Sequence, residues 1–170
     1  MIKYMLSALA KDLKDKNICD CTPTRGTCSS VGMDLKACLP EPISIYPGEV
    51  HKIPLGVHIF LGVLPEEKAT LLTSGPARED PIYQLAGLYL PRSSCSGLKL
   101  ENTVGLLDPD YQGESFAKYR NVSDMPIRIS PGERIVQLVI VPAIMTKWLQ
   151  VSSFEETTKR GHGGDGSTGK

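Results

Sequence analysis

What the sequence lacks narrows the field before any motif is read. The chain of 170 residues carries no net charge, because 19 Lys and Arg stand against 19 Asp and Glu. A protein that follows a nucleic-acid backbone needs a basic surface to displace counterions, so no nucleic-acid partner is expected. A local cluster of cations around a small anion is not excluded by that balance. Nowhere does an apolar run approach the ~20 residues that cross a bilayer, so no membrane partner is expected. The opening segment lacks the long apolar run of a secretion signal and leads at once into Lys11-Asp12-Leu13-Lys14-Asp15-Lys16. The expected location is therefore the cytoplasm.

Also missing is an even set of cysteines. The five, Cys19, Cys21, Cys28, Cys38 and Cys95, read as reduced thiols rather than a disulfide framework. A zinc site on Cys19, Cys21 and Cys28 is the weaker reading. The C-x-C spacing is tighter than the usual C-x₂₋₄-C, and His51 is the only nearby fourth ligand in sequence. Helical periodicity is weak too, with a turn or two expected over Leu6–Leu13 and over Glu66–Leu72.

What is present is the pattern of short strands. Ile43–Tyr46, Val50–Ile53, Gly56–Leu61, Leu88–Leu90, Pro126–Ile129 and Arg134–Val141 are β-branched or alternating runs divided by Pro and Gly turns. Strands at this spacing, in a chain of one-domain length, indicate an all-β sandwich or barrel. Residues 62–87 read as a long connection, which in a compact domain is usually functional. Residues 156–170 are polar and rich in glycine and cannot form a core strand. The expected organisation is a β core over 1–155 with an insertion at 62–87, followed by a flexible arm at 156–170.

Chemistry concentrates between Asn102 and Tyr111, where Asn102 to Asp108 reads as a strand–turn–strand hairpin with Gly105 supplying a backbone shape other residues resist. Backbone N–H and C=O groups freed by such a turn can pair with the edge of a flat heterocycle. The Asn102 amide offers both a donor and an acceptor. Asp108-Pro109-Asp110 reads either as a plain turn or as a site for a carboxylate that takes a proton from water.

Five segments in order resemble the five motifs of the trimeric dUTPase family, including its phage-encoded members. They are Val31–Ala37, Pro91–Ser94, Gly97–Glu114, Gly132–Leu138 and Arg160–Gly169. The resemblance implies a distorted jelly-roll or β-barrel that forms a homotrimer, with the C-terminal arm exchanged between subunits. It implies cleavage of dUTP to dUMP and pyrophosphate, assisted by Mg2+. On that resemblance Asn102, Gly105, Leu106 and Leu107 read the uracil, and Tyr111 packs on the deoxyribose against a 2′-hydroxyl. Asp108 activates the water that attacks the α-phosphate. Arg92, Ser93, Ser94 and Gln137 contact phosphates, and Asp34 meets the magnesium through water. Arg160, Gly166, Ser167 and Thr168 close over the triphosphate. One departure stands out: the family places an aromatic where this chain has Asp165, which cannot stack on the base. Two alternatives remain, a dCTP deaminase-like enzyme on the same fold and a dUTPase scaffold that binds a regulatory protein through 62–87.

Overall fold

The computed structural model describes residues 2–74, 82–102, 104–153 and 158. Ten strands and two short helices follow one another as β1 (Lys3–Leu6), α1 (Ala8–Asp15), β2 (Met33–Lys36), β3 (Ile43–Ile45), β4 (Val50–Phe60), α2 (Glu66–Thr73), β5 (Ile82–Pro91), β6 (Leu98–Leu100), β7 (Gly105–Leu107), β8 (Glu114–Asn121), β9 (Ile127–Ile129) and β10 (Arg134–Met145). One sheet has the order β1-β4-β8-β6 and a second β2-β10-β5-β7, with β3 and β9 forming a separate ribbon. Every pairing is antiparallel. The all-β expectation holds, and the core lies between the two four-stranded sheets. Leu35, Ile53, Leu55, Val57, Leu100, Leu107, Tyr119, Ile135 and Val136 come from both sheets and are 3% exposed or less.

The segments read as Val50–Ile53 and Gly56–Leu61 are one strand, β4, bent in its middle. Its pairing with β8 shifts register between Pro54 and His58. At the bend Gly56 has φ +70°, and a Cβ there would lie 2.9 Å from both Ala10 Cβ and Cys38 Sγ, so only glycine fits. The carbonyls the bulge frees are satisfied, since Cys38 N donates to Pro54 O at 2.8 Å and Ser7 N to Gly56 O at 2.9 Å. Ser7 also caps α1, its Oγ accepting from Ala10 N at 3.2 Å. Beneath the helix Ala10, Leu13, Cys19, Cys21 and Cys38 form a second small core. Burial pushes the Cys21 and Cys38 thiols above their usual range. All five cysteines are free thiols, Cys28 exposed and the other four buried, so Cys28 does not converge with Cys19 and Cys21.

Three readings need correction. Pro142 does not end the last strand, which continues to Met145 with Pro142 opposite Leu85. By then β10 has passed its last partner on β2, Met33 opposite Leu138, so on that side no ladder partner needs the missing N–H. The connection read as 62–87 is shorter, because Ile82–Gly87 already belong to β5 and pair with β10. The stretch Asn102–Asp108 is not a hairpin either. Its strand β7 pairs with β5, and β6 just before it pairs with β8 in the other sheet, so the chain here turns a corner across the sandwich. Among the described residues no helix is long and apolar enough to cross a membrane.

Candidate functional site

The corner and the turn after it line a cleft of about 280 Å³. Asn102, Gly105, Leu106, Leu107, Asp108 and Tyr111, all singled out in sequence, meet there with Tyr89, Glu114, Ser115 and Phe116. Gly105 is buried, and it is needed for close approach rather than for a left-handed backbone. A Cβ at that position would sit 2.9 Å from Asn102 Nδ2 and 3.1 Å from Tyr89 Cδ2. The alternation of β7 buries Leu107 and leaves Leu106 62% exposed, so the two contribute different edges. Asp108 to Tyr111 is at once a turn and part of the cleft wall. Tyr111 N donates to Asp108 O at 3.2 Å, while Pro109 O accepts from Leu61 N and Gly62 N at 3.2 and 3.1 Å. Pro109 follows Asp108 where a turn favours proline, and the Asp108 carboxylate is left exposed at the rim. Tyr111 Oη donates to Glu114 O at 3.3 Å, tying the ring back to the start of β8.

Behind this wall Tyr89 Oη and Ser115 Oγ lie 2.6 Å apart. Burial raises the Tyr89 phenol above its ordinary range, partly offset by the Ser115 contact. Glu114 Oε1 is buried without a hydrogen-bond partner among the described residues. Lys52 Nζ stands 4.0 Å over the centre of the Phe116 ring.

A second cleft, of about 390 Å³, is lined by Gly26, Ser30, Val31, Gly32, Asp34, Arg92, Ser93, Gln137 and Val139. Four sequence candidates gather here: Asp34, Arg92, Ser93 and Gln137. Ser94 is exposed in the turn that follows and does not line it. Cross-strand pairing explains the gathering, since Gln137 on β10 lies opposite Asp34 on β2 and Leu90 on β5. Gln137 Nε2 donates to Pro91 O at 3.2 Å. Asp34 is 6% exposed and binds two guanidinium groups. Arg92 Nε donates to its Oδ1 at 3.0 Å, and Arg134 Nη1 to its Oδ2 at 3.2 Å. Arg92 Nη1 also reaches Arg134 O at 3.3 Å. Two cations on one carboxylate leave the cleft locally positive, which suits an anionic ligand. The loop on the opposite wall is pinned at its base by the Thr24–Asp34 bridge and braced by Arg25, which donates to Ser30 O and Val31 O.

Asp34, which the resemblance sets near a magnesium ion through water, binds Arg92 and Arg134 through its two carboxylate oxygens. Among the described residues no group of three or more His, Cys, Asp or Glu is placed to hold a metal ion. Sequence reasoning missed Arg134, although it lies in the segment that supplied Gln137. It also missed Tyr89, which lies on the strand leading into Pro91-Arg92. Arg160, Asp165, Gly166, Ser167 and Thr168 lie outside the described residues. The two clefts share no lining residue.

The dUTPase family model matches residues 61–169. The chain is 40% identical over 164 residues to the deoxyuridine 5'-triphosphate nucleotidohydrolase of Paraburkholderia xenovorans, covering 94% of this chain and 97% of that protein. It is 39% identical over 158 residues to the Neisseria meningitidis protein of the same name, covering 91% and 92%. Among solved structures, Staphylococcus bacteriophage 80alpha dUTPase with dUpNHpp superposes with a TM-score of 0.71 at 24% identity, over 100% of this chain and 99% of that one. The dUTPase of Streptococcus mutans gives 0.57 at 26% identity, over 88% and 98%.

Proposed function

The chain belongs to the dUTPase family, and from that membership and its two clefts we propose that it hydrolyses dUTP to dUMP and pyrophosphate. The observation that carries the reading is the convergence of Asn102, the Gly105–Leu107 backbone, Asp108 and Tyr111 on one cleft. Uracil enters that corner, where the Asn102 amide and backbone N–H and C=O groups match its alternating donors and acceptors. A cytosine amino group or a thymine methyl meets mismatched or occupied space. Tyr111, 42% exposed, offers its ring to the deoxyribose. Asp108 accepts a proton from a water directed at the α-phosphorus, and the bond to the pyrophosphate oxygen breaks.

The positive cleft takes the phosphates. Arg92 supplies a planar fork of donors and Ser93 a hydroxyl, while Asp34 orients both arginines. Ser94 and Gln137 belong to the same proposed phosphate-binding set. The donor set does not make a cage for a resident metal, so magnesium enters this proposal as part of the substrate, held mainly by triphosphate oxygens. Bound there it draws charge off the departing pyrophosphate.

Because the clefts have no lining residue in common, the reading that fits them best is a homotrimer in which one copy's base cleft works with another's phosphate cleft. The arm 156–170, with Arg160, Gly166, Ser167 and Thr168, then closes over the bound triphosphate, and its Asp165 weakens that closure for want of a stacking ring. A second reading, a regulatory protein partner at the insertion, is favoured by one observation: α2 has no buried residue, and Glu66, Glu67, Lys68, Thr70 and Thr73 present an exposed face for docking, while Ala69, Leu71 and Leu72 are half-buried.

The test is pyrophosphate release from dUTP, dCTP, dTTP and UTP, each with magnesium. Release from dUTP alone is expected. A folded protein that turned over dCTP equally, or left dUTP intact, would overturn the proposal.

A further inference from the structure

The base cleft contains a hydroxyl pair that the mechanism above does not use. Tyr89 Oη and Ser115 Oγ are 2.6 Å apart, and both residues line the cleft beside Asn102 and Asp108. Ser115 is 2% exposed on the inward side of β8, and Tyr89 is partly buried on β5. A hydroxyl carries one proton and accepts through its lone pairs. One proton closes the bond between the two oxygens, and either oxygen can be its donor. The other oxygen keeps its own proton, for which no protein acceptor is present among the described contacts. When a ligand excludes water, an O–H without an acceptor is costly, so such a donor discriminates between ligands that do and do not offer a lone pair.

The donor is also held in place. The Tyr89 ring packs on Gly105, where a Cβ would lie 3.1 Å from Cδ2 and 3.2 Å from the Tyr89 Cβ. The hydroxyl pair is therefore fixed relative to the backbone corner that receives the base. Leu88 opposite Leu106 and Tyr89 opposite Gly105 in the β5–β7 ladder tie the two elements together.

We propose that the Tyr89–Ser115 pair is a specificity-determining element that donates one hydrogen bond to a carbonyl oxygen of the bound pyrimidine. This rests on the reading of the cleft as the uracil pocket. Uracil carries carbonyl oxygens at C2 and C4, whereas cytosine has an amino group at C4. A donor facing C4 is paired with uracil and meets another donor with cytosine. A donor facing C2 is paired with both bases.

The experiment is steady-state pyrophosphate release from dUTP and dCTP by the full chain and by Tyr89→Phe, Ser115→Ala and Asn102→Ala, with thermal melting of each. Tyr89→Phe and Ser115→Ala are expected to raise KM for dUTP by about 3- to 10-fold, the worth of one neutral hydrogen bond, with kcat nearly unchanged. A narrowed preference for dUTP over dCTP assigns the bond to the C4 oxygen, and an equal loss for both nucleotides assigns it to the C2 oxygen. If the variants melt lower but keep the wild-type KM for both nucleotides, the pair is only structural and the inference is overturned. Asn102→Ala separates the two levels. If it abolishes discrimination while the hydroxyl variants keep the wild-type KM, only this inference falls. If it too changes nothing, the reading of the cleft falls with it.

Discussion

Asp34 shows how one side chain sets the character of a cleft. Its carboxylate is nearly inaccessible and holds Arg92 and Arg134, so removing it leaves two cations side by side with no counter-charge. Breaking a buried pair from one side costs far more than the pair contributes net. The Arg92 and Arg134 side chains stay 25% and 48% exposed, so solvent screens part of that cost. Asp34→Ala is expected to lose about 2 kcal/mol of stability, read from urea unfolding, and to raise KM for dUTP as Arg92 loses its orientation. A loss below about 1 kcal/mol, the range of an exposed pair, would contradict the burial argument. Asp34, Arg92 and Asp108 were visible in the sequence because each lies in a short recognisable segment. The pairing of Asp34 with Arg134 was not, because the two lie 100 residues apart and only the β2–β10 pairing joins them. Gly105 was singled out for the wrong reason: its constraint comes from the Asn102 amide and from the Tyr89 ring on another strand, not from a left-handed backbone.

Elements were legible where their buried residues look apolar. β10 announces itself through Ile135, Val136 and Leu138. β8 does not, because its inward side is Ser115, Ala117, Tyr119 and Asn121. The two largest of these are satisfied by long-range partners, Tyr119 Oη donating to Ile135 O at 2.8 Å and Asn121 Nδ2 to Ile45 O at 2.8 Å. A strand whose core face is polar has no period-2 hydrophobic signal to read. The corner after β6 was misread for a related reason, since two short strands near a glycine look the same whether they pair with each other or with separate sheets. The segment from α1 to the β4 bulge makes a prediction at this scale. Four thiols are buried and Cys28 is exposed, and burial holds Cys21, Cys38 and Cys95 in the protonated, unreactive form. Titration of the native protein with a thiol reagent should therefore give one fast-reacting group, and all five after denaturation. A second fast thiol in the native state, mapped to Cys19, Cys21 or Cys38, would mean that α1 does not stay seated on β4.

For the whole molecule the separation of the two clefts carries the most consequence. If each site draws Asp108 from one copy and Arg92 from another, then Asp108→Asn and Arg92→Ala chains, each inactive alone, regain activity when unfolded and refolded together, because mixed trimers contain sites with both native residues. Activity that never exceeds the sum of the two separate variants would place both residues in one chain's site. The sheet arrangement and the residues of both clefts follow from strand pairing within one chain, whereas assembly between chains leaves no periodic mark in the sequence. Activation by Asp108 of a water that attacks the α-phosphate of dUTP can be followed by running the reaction in 18O-labelled water with wild type and Asp108→Asn. Label is expected in dUMP and none in pyrophosphate for the wild type, with turnover falling by about 100-fold or more in the variant, the usual scale of a lost general base. Label in pyrophosphate, or an Asp108→Asn variant as fast as the wild type, would contradict it.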